Sequence, residues 1–346
     1  MRRTIIWLGF ILGISLTVPC WAASGPGYHV SATYKIGGDG GWDYLTADAS
    51  ARRLYISRGT HVIVLDLDSG KTVGDIPDTP GVHGIALAPG LGKGFTSNGR
   101  EGTVTVFDLK SLTPIGNKIK VGDNPDAILF DPATNRVFTF NGRSQDSTAI
   151  DAVSNTVLGT IKLDGKPEFA ASDNQGGGIF VNIEDKSELV AIDPNKLQVK
   201  AKWPLAPCTE PSGLAIDRKN RRLFVGCDNK MMAVVDANNG KVLSTPAIGE
   251  GVDATAYDEE TGLAFASCGQ DGVLTVVKQD SGDQYSVAEN VTTQKSARTM
   301  ALDTKTHDVY TVAAKFGPKP APTPQNPRGY PPVLPDTFVV LKLTKK

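Results

Sequence analysis

Histidine, cysteine and methionine are scarce in this 346-residue chain, at four each. Only His29, His61, His83 and His307 could exchange protons near neutral pH, so a histidine-centred active site has few candidates. No two cysteines stand in Cys-x-x-Cys spacing, which argues against a structural zinc site. Neither a Gly-x-Ser-x-Gly elbow nor a His-Glu-x-x-His pair occurs. Charge of one sign is not in excess: 36 basic residues face 37 acidic ones. A nucleic-acid-binding footprint normally needs a basic surplus, so that function is disfavoured. Nowhere does a sustained 3.6-residue period mark a helix. Past the N-terminus, no apolar run is long enough to span a bilayer.

The N-terminus reads as a secretory signal over residues 1–22, with cleavage near 22–24. Arg2 and Arg3 supply the positive region, Ile5 to Val18 the apolar stretch, and Cys20 and Ala22 the small residues before the cut. Export implies a periplasmic or secreted protein, in a compartment where disulfides persist. The remaining chain holds Cys208, Cys227 and Cys268, an odd number that leaves at least one thiol unpaired.

What is present is a repeat. The aromatics Tyr55, Phe95, Phe138, Phe180, Phe224, Phe265 and Tyr310 recur about every 42 residues, each centring a short run rich in β-branched residues. Seven residues before each stands Asp48, Ala88, Asp131, Asp173, Asp217, Asp258 or Asp303. A third run follows, as in Val64-Leu65-Asp66 and Val106-Phe107-Asp108, and then a polar turn. These runs have strand length and strand composition. The pattern predicts an all-β fold over residues 27–346: a seven-bladed β-propeller with four antiparallel strands per blade. The last repeat lacks its fourth strand, whereas a spare strand, His29 to Ile36, precedes the first. Pairing of this N-terminal strand with the C-terminal blade is therefore expected to close the ring and remove two exposed edges.

With these residues in place, the chain resembles the YncE family of YVTN-repeat propellers. The resemblance is carried by runs such as Asn124-Pro125-Asp126-Ala127-Ile128-Leu129-Phe130-Asp131, and by the tail from Lys315-Phe316-Gly317-Pro318 into Phe338-Val339-Val340-Leu341. It implies an exported seven-bladed propeller and no particular activity.

In a propeller the first strand of each blade lines the central channel. Five residues before the recurrent Asp position stand Asp43, His83, Asp126, Glu168, Ser212, Asp253 and Arg298, a ring expected at one channel mouth. Asp43, His83, Asp126, Glu168 and Asp253 are the candidate metal ligands, and Arg298 is a candidate for an anionic group. Crowded carboxylates repel unless a cation or protons offset them, so a divalent cation is the cofactor to look for; a solvated polar mouth is the plain alternative. Two residues deeper come Leu45, Ile85, Ile128, Ala170, Leu214, Thr255 and Met300, expected to line the channel.

The loops between second and third strands share this face. Asn98-Gly99-Arg100 and Asn141-Gly142-Arg143 are first of all turns, with Asn98, Arg100, Asn141 and Arg143 as secondary ligand candidates. In blade seven the same loop is long and proline-rich over residues 314–335, to be read as a lid, a docking segment or an ornament. A Cys208–Cys227 bridge ranks first and Cys227–Cys268 second. Gly70-Lys71-Thr72 lacks the upstream glycine of a phosphate loop and is a turn. The basic cluster Arg218, Lys219, Arg221 and Arg222 falls on the opposite face.

Three functions compete. The first is a monomeric binding or scaffold protein of the cell envelope, holding a small molecule, a metal or an envelope protein; the lack of a catalytic constellation favours it. By fold analogy the second is a metal-dependent lactonase or lyase, with His83 as base. The third, single-stranded nucleic-acid binding, demands strong weakening by salt.

Overall fold

The computed structural model describes residues 25–38, 40–323 and 329–346, so the expected signal over residues 1–22 lies outside the described residues. Seven separate four-stranded sheets follow one another along the chain. Blade one comprises Leu45–Asp48, Arg53–Ser57, Val62–Asp66 and Thr72–Ile76, each pairing antiparallel with the next. Blades two to six repeat that order. Among the described residues the only helices are two single 3-10 turns, Pro89–Leu91 and Glu184–Lys186.

Blade seven is built from both ends of the chain. Met300–Asp303, Asp308–Ala313 and Val339–Lys345 run outward from the axis, and Tyr28–Lys35 adds the outermost strand. The register runs from Tyr28 opposite Lys345 to Lys35 opposite Val339. This is the closure that the spare N-terminal run predicts.

Each recurrent aromatic lies in the middle of its second strand and is almost wholly buried. It packs between neighbouring blades. Tyr55 shares a cluster with Phe107 and Ile85 of blade two, and Tyr310 shares one with Leu54 and Ile56 of blade one. Burying such a side chain contributes about 1.5–3 kcal/mol. A single blade has two apolar faces and no way to cover them, so closure of the ring is what stabilises every sheet.

The recurrent Asp has two tasks. At the end of each first strand it accepts backbone N–H groups of the following turn, as Asp48 does from Ser50 and Ala51 at 3.1 and 2.9 Å. It also bonds a side chain of the next blade. Ser172 donates to Asp131 at 2.7 Å, Arg221 to Asp173 at 3.0 Å and Tyr257 to Asp217 at 2.9 Å. His307 meets Asp258 at 2.7 Å, and Arg52 reaches Asp303 at 2.5 Å across the closure between blades seven and one. The repeat signature is thus a set of latches between blades.

Two smaller readings resolve here. The segment at Gly70 is a turn with φ +69°, under the ring of Tyr34, which leaves no room for a Cβ. Cys208 and Cys227 are joined in a disulfide, and Cys268 is a buried free thiol.

Candidate functional site

Five of the seven ring residues sit in β-bulges, while Asp43 and Arg298 precede their strands. In blade two, Val82 faces Asn98 and Ile85 faces Thr96, so His83 and Gly84 together oppose Ser97. The same slip recurs at Asp126-Ala127, Glu168-Phe169 and Ser212-Gly213, and a one-residue form isolates Asp253. A bulge re-aims the strand. Of the residues two further on, Ile85, Ile128, Ala170 and Leu214 line the channel on the opposite face, as expected. Leu45, Thr255 and Met300 are buried and do not line that cavity.

The residue directly after the ring position varies in size. It is small in blades two, three, five, six and seven, as Gly84, Ala127, Gly213, Ala254 and Thr299, but aromatic in blades one and four. Those two aromatics, Tyr44 and Phe169, meet edge to face with centroids 5.0 Å apart. They close the axis beneath the ring and turn the mouth into a cup. A separate cavity of about 620 Å³ opens on the opposite face, with Phe169 in its wall.

The ring itself divides into three groups. Asp43, His83 and Asp126 converge, with one ligand atom of each lying within 4.8 Å of the others. His83 Nδ1 is 2.5 Å from Asp43 Oδ2 and 3.5 Å from Asp126 Oδ1. The imidazole fits because Gly99 has no side chain: a Cβ there would stand 2.7 Å from His83 Nε2. Arg298 forms the second group, pairing with Asp253, lying 3.5 Å from Asp43 and donating to the Trp42 carbonyl at 3.1 Å. Ser212 donates to Asp253 at 3.0 Å. In the third group Lys166 bridges Glu168, at 3.0 Å, and Glu184. Glu168 and Asp253 therefore stand apart from the His83 cluster, each with its own cation. Sequence reasoning missed Lys166, Glu184 and Tyr44; Lys166 sits only two residues before Glu168, and that i, i+2 spacing was the available signal.

The charges shift one another. Burial would lower the His83 pKa, but the hydrogen bond to Asp43 and the charge of Asp126 outweigh it and raise it to about 9. Asp43 resists its own burial through His83 and Arg298, and its carboxyl stays below the usual range. Burial pushes Asp126 up, and Asp126 Oδ1 has no hydrogen-bond donor. Burial and the neighbouring Asp126 raise Glu168 to about 8, against the pull of Lys166. The Tyr44 phenol, buried among these carboxylates, is held protonated.

The secondary candidates separate. Asn98 and Asn141 are buried and occupied with their own blades. Asn98 accepts from Thr96 and donates to Thr103 and Thr105, while Asn141 accepts from Thr139 and donates to Asp146 and Thr148. This removes both from the set that could touch a ligand. Arg100 and Arg143 are exposed. On the far face Arg218, Arg221 and Arg222 are ion-paired with Glu259, Asp173 and Asp283 at 2.9, 3.0 and 2.8 Å, which neutralises the basic cluster.

The proline-rich arm leans over the cup. Its base is a short antiparallel ladder, with Gly317 N–H donating to the Pro332 carbonyl and Leu334 N–H to that of Lys315, both at 2.8 Å. Regular pairing thus survives at the base despite the proline content. Phe316 packs on Trp42 with centroids 5.8 Å apart. The cup beneath, about 620 Å³, is lined by ring residues and by Trp42, Phe316 and Tyr330.

No protein-family model and no curated protein matches the chain. Among solved structures it is similar to hydrazine synthase of Kuenenia stuttgartiensis, at 14% identity and a TM-score of 0.70, covering 88% of this chain and 96% of that one. It is also similar to the WD40 β-propeller domain of Doa1, at 13% identity and a TM-score of 0.71, covering 92% and 98%. U3-55K matches at 9% identity and a TM-score of 0.71, covering 91% and 98%. At such identities the likeness is one of fold, and the fold is that of a seven-bladed β-propeller.

Proposed function

We propose that this chain is an exported, monomeric ligand-binding propeller of the cell envelope, akin to the YncE group, that holds a divalent cation on Asp43, His83 and Asp126. One observation carries the reading: two carboxylates and an imidazole offer ligand atoms within 4.8 Å of one another. One of those atoms, Asp126 Oδ1, is buried without a donor. Two oxygens and a nitrogen suit a first-row transition ion better than calcium, and three protein ligands leave coordination positions for water or a ligand. His83 must lose its proton to bind the ion, so affinity should rise with pH.

Calorimetric titration of the purified protein with Mn²⁺, Co²⁺, Ni²⁺ and Zn²⁺ tests this. One equivalent should bind, and Asp126→Asn or His83→Gln should abolish it. Absence of binding by all four ions overturns the proposal. A binder fits better than a lactonase or lyase, because an imidazole held protonated between two carboxylates is a poor base and the cup presents no nucleophile with its own activating partner. Single-strand binding has little support, since the far-face arginines already have acidic partners.

A further inference from the structure

The upper part of the cup has a chemistry of its own. Above the ring, its wall carries the carboxylates of Glu210 and Asp228, which form no salt bridge among the described residues; Lys230, paired with Glu250 at 2.6 Å, acts on Asp228 only at longer range. The wall also carries Trp42, Phe316 and Tyr330. The same three aromatics continue into an adjoining cavity of about 770 Å³ under the proline-rich arm. Phe316 and Tyr330 are 43% and 62% exposed, much for large apolar rings that a fold otherwise buries, and both face this space. Trp42 is only 8% exposed, and its indole Nε1–H has no acceptor. The Trp42 indole is packed against Phe316 and Phe338, so Phe316 and Tyr330 supply the ring faces open to the cavity.

Unpaired carboxylates beside aromatic faces are complementary to an organic cation, whose charge is drawn both to the carboxylates and to the negative faces of the rings. We propose that the cup binds an organic ammonium compound. Its positive charge lies between Glu210, Asp228 and the exposed rings of Phe316 and Tyr330. The inference deepens the ligand-binding reading and rests on it, but it uses none of the three residues assigned to the metal.

Beyond residue 22 the chain has two tryptophans, Trp42 in the cup and Trp203 in the outer strand of blade four, so fluorescence reports on the site. The test titrates the protein with choline and with its neutral isostere, 3,3-dimethylbutan-1-ol. Choline should change the emission saturably, and the alcohol should bind at least roughly tenfold more weakly. The exposed double variant Glu210→Gln/Asp228→Asn should weaken choline by a similar factor, whereas Glu259→Gln, on the opposite face, should leave it unchanged. Equal binding of alcohol and choline, no binding of choline, or an unaffected double variant overturns the proposal. Metal titration of the same samples separates its failure from that of the metal reading: loss of one with retention of the other identifies which has fallen.

Discussion

Tyr44 of blade one and Phe169 of blade four meet edge to face with centroids 5.0 Å apart, although they are 125 positions apart in the chain with two sheets between them. Aromatic pairs of this geometry contribute about 0.5–1.5 kcal/mol beyond the area they bury. A double-mutant cycle on Tyr44→Ala and Phe169→Ala, read by urea unfolding, should show a coupling of about 1 kcal/mol. Additive effects would mean that the two rings do not support each other.

The metal-free protein should lose stability as pH rises from about 5 to 9. His83 is raised to about 9, so its stabilisation is complete below its ordinary value near 6.5 and disappears as pH passes through 9. Glu168, raised to about 8, keeps its proton in the folded state after the unfolded chain has lost it, which also costs stability as pH climbs. Asp126 acts in the same direction, while Asp43, lowered, works only in the acid range. The melting temperature, followed by circular dichroism in a chelator, should fall across this range and flatten in Glu168→Gln. A melting temperature that climbs instead would contradict the assigned shifts.

Closure of the ring depends on Arg52. Its guanidinium bonds Asp303, whose side chain is fully buried, and also the exposed Asp68. Arg52→Ala strands a buried carboxylate and should cost about 3 kcal/mol in chemical denaturation. Asp68→Ala should leave the unfolding midpoint unmoved, because a solvated partner adds little. Equal effects of the two would refute the latch.

The disulfide and the lone thiol predict a simple assay. Cys208–Cys227 closes a loop of sequence separation 19, and its replacement by serines should cost about 3 kcal/mol. Cys268 is buried, and burial pushes its thiol up to about 11. A thiol reagent should therefore find nothing in the native mature chain and one group after denaturation. Rapid native labelling would place Cys268 at the surface.

The architecture was legible because a 42-residue period acts on every blade at once, so seven aromatics and six aspartates report the same geometry. The site was less so. Asp43, His83, Asp126, Glu168, Ser212, Asp253 and Arg298 were located as one ring, but their division into three groups depends on Lys166, which lies outside the repeat position. The Tyr44–Phe169 closure was hidden for a different reason. Phe169 lies in a bulge, which carries no clear mark in sequence, and Tyr44 directly precedes its strand, so simple alternation does not bring the two rings together.

The pairing of Tyr28–Lys35 with Val339–Lys345 has a topological consequence. Tyr28–Lys35 is the outermost strand of its sheet and Val339–Lys345 lies next to it, so both are held away from the axis. The final blade also draws on the first and last strands of the chain. The annulus therefore cannot lock until nearly all of the polypeptide is available, which makes its assembly slow and late.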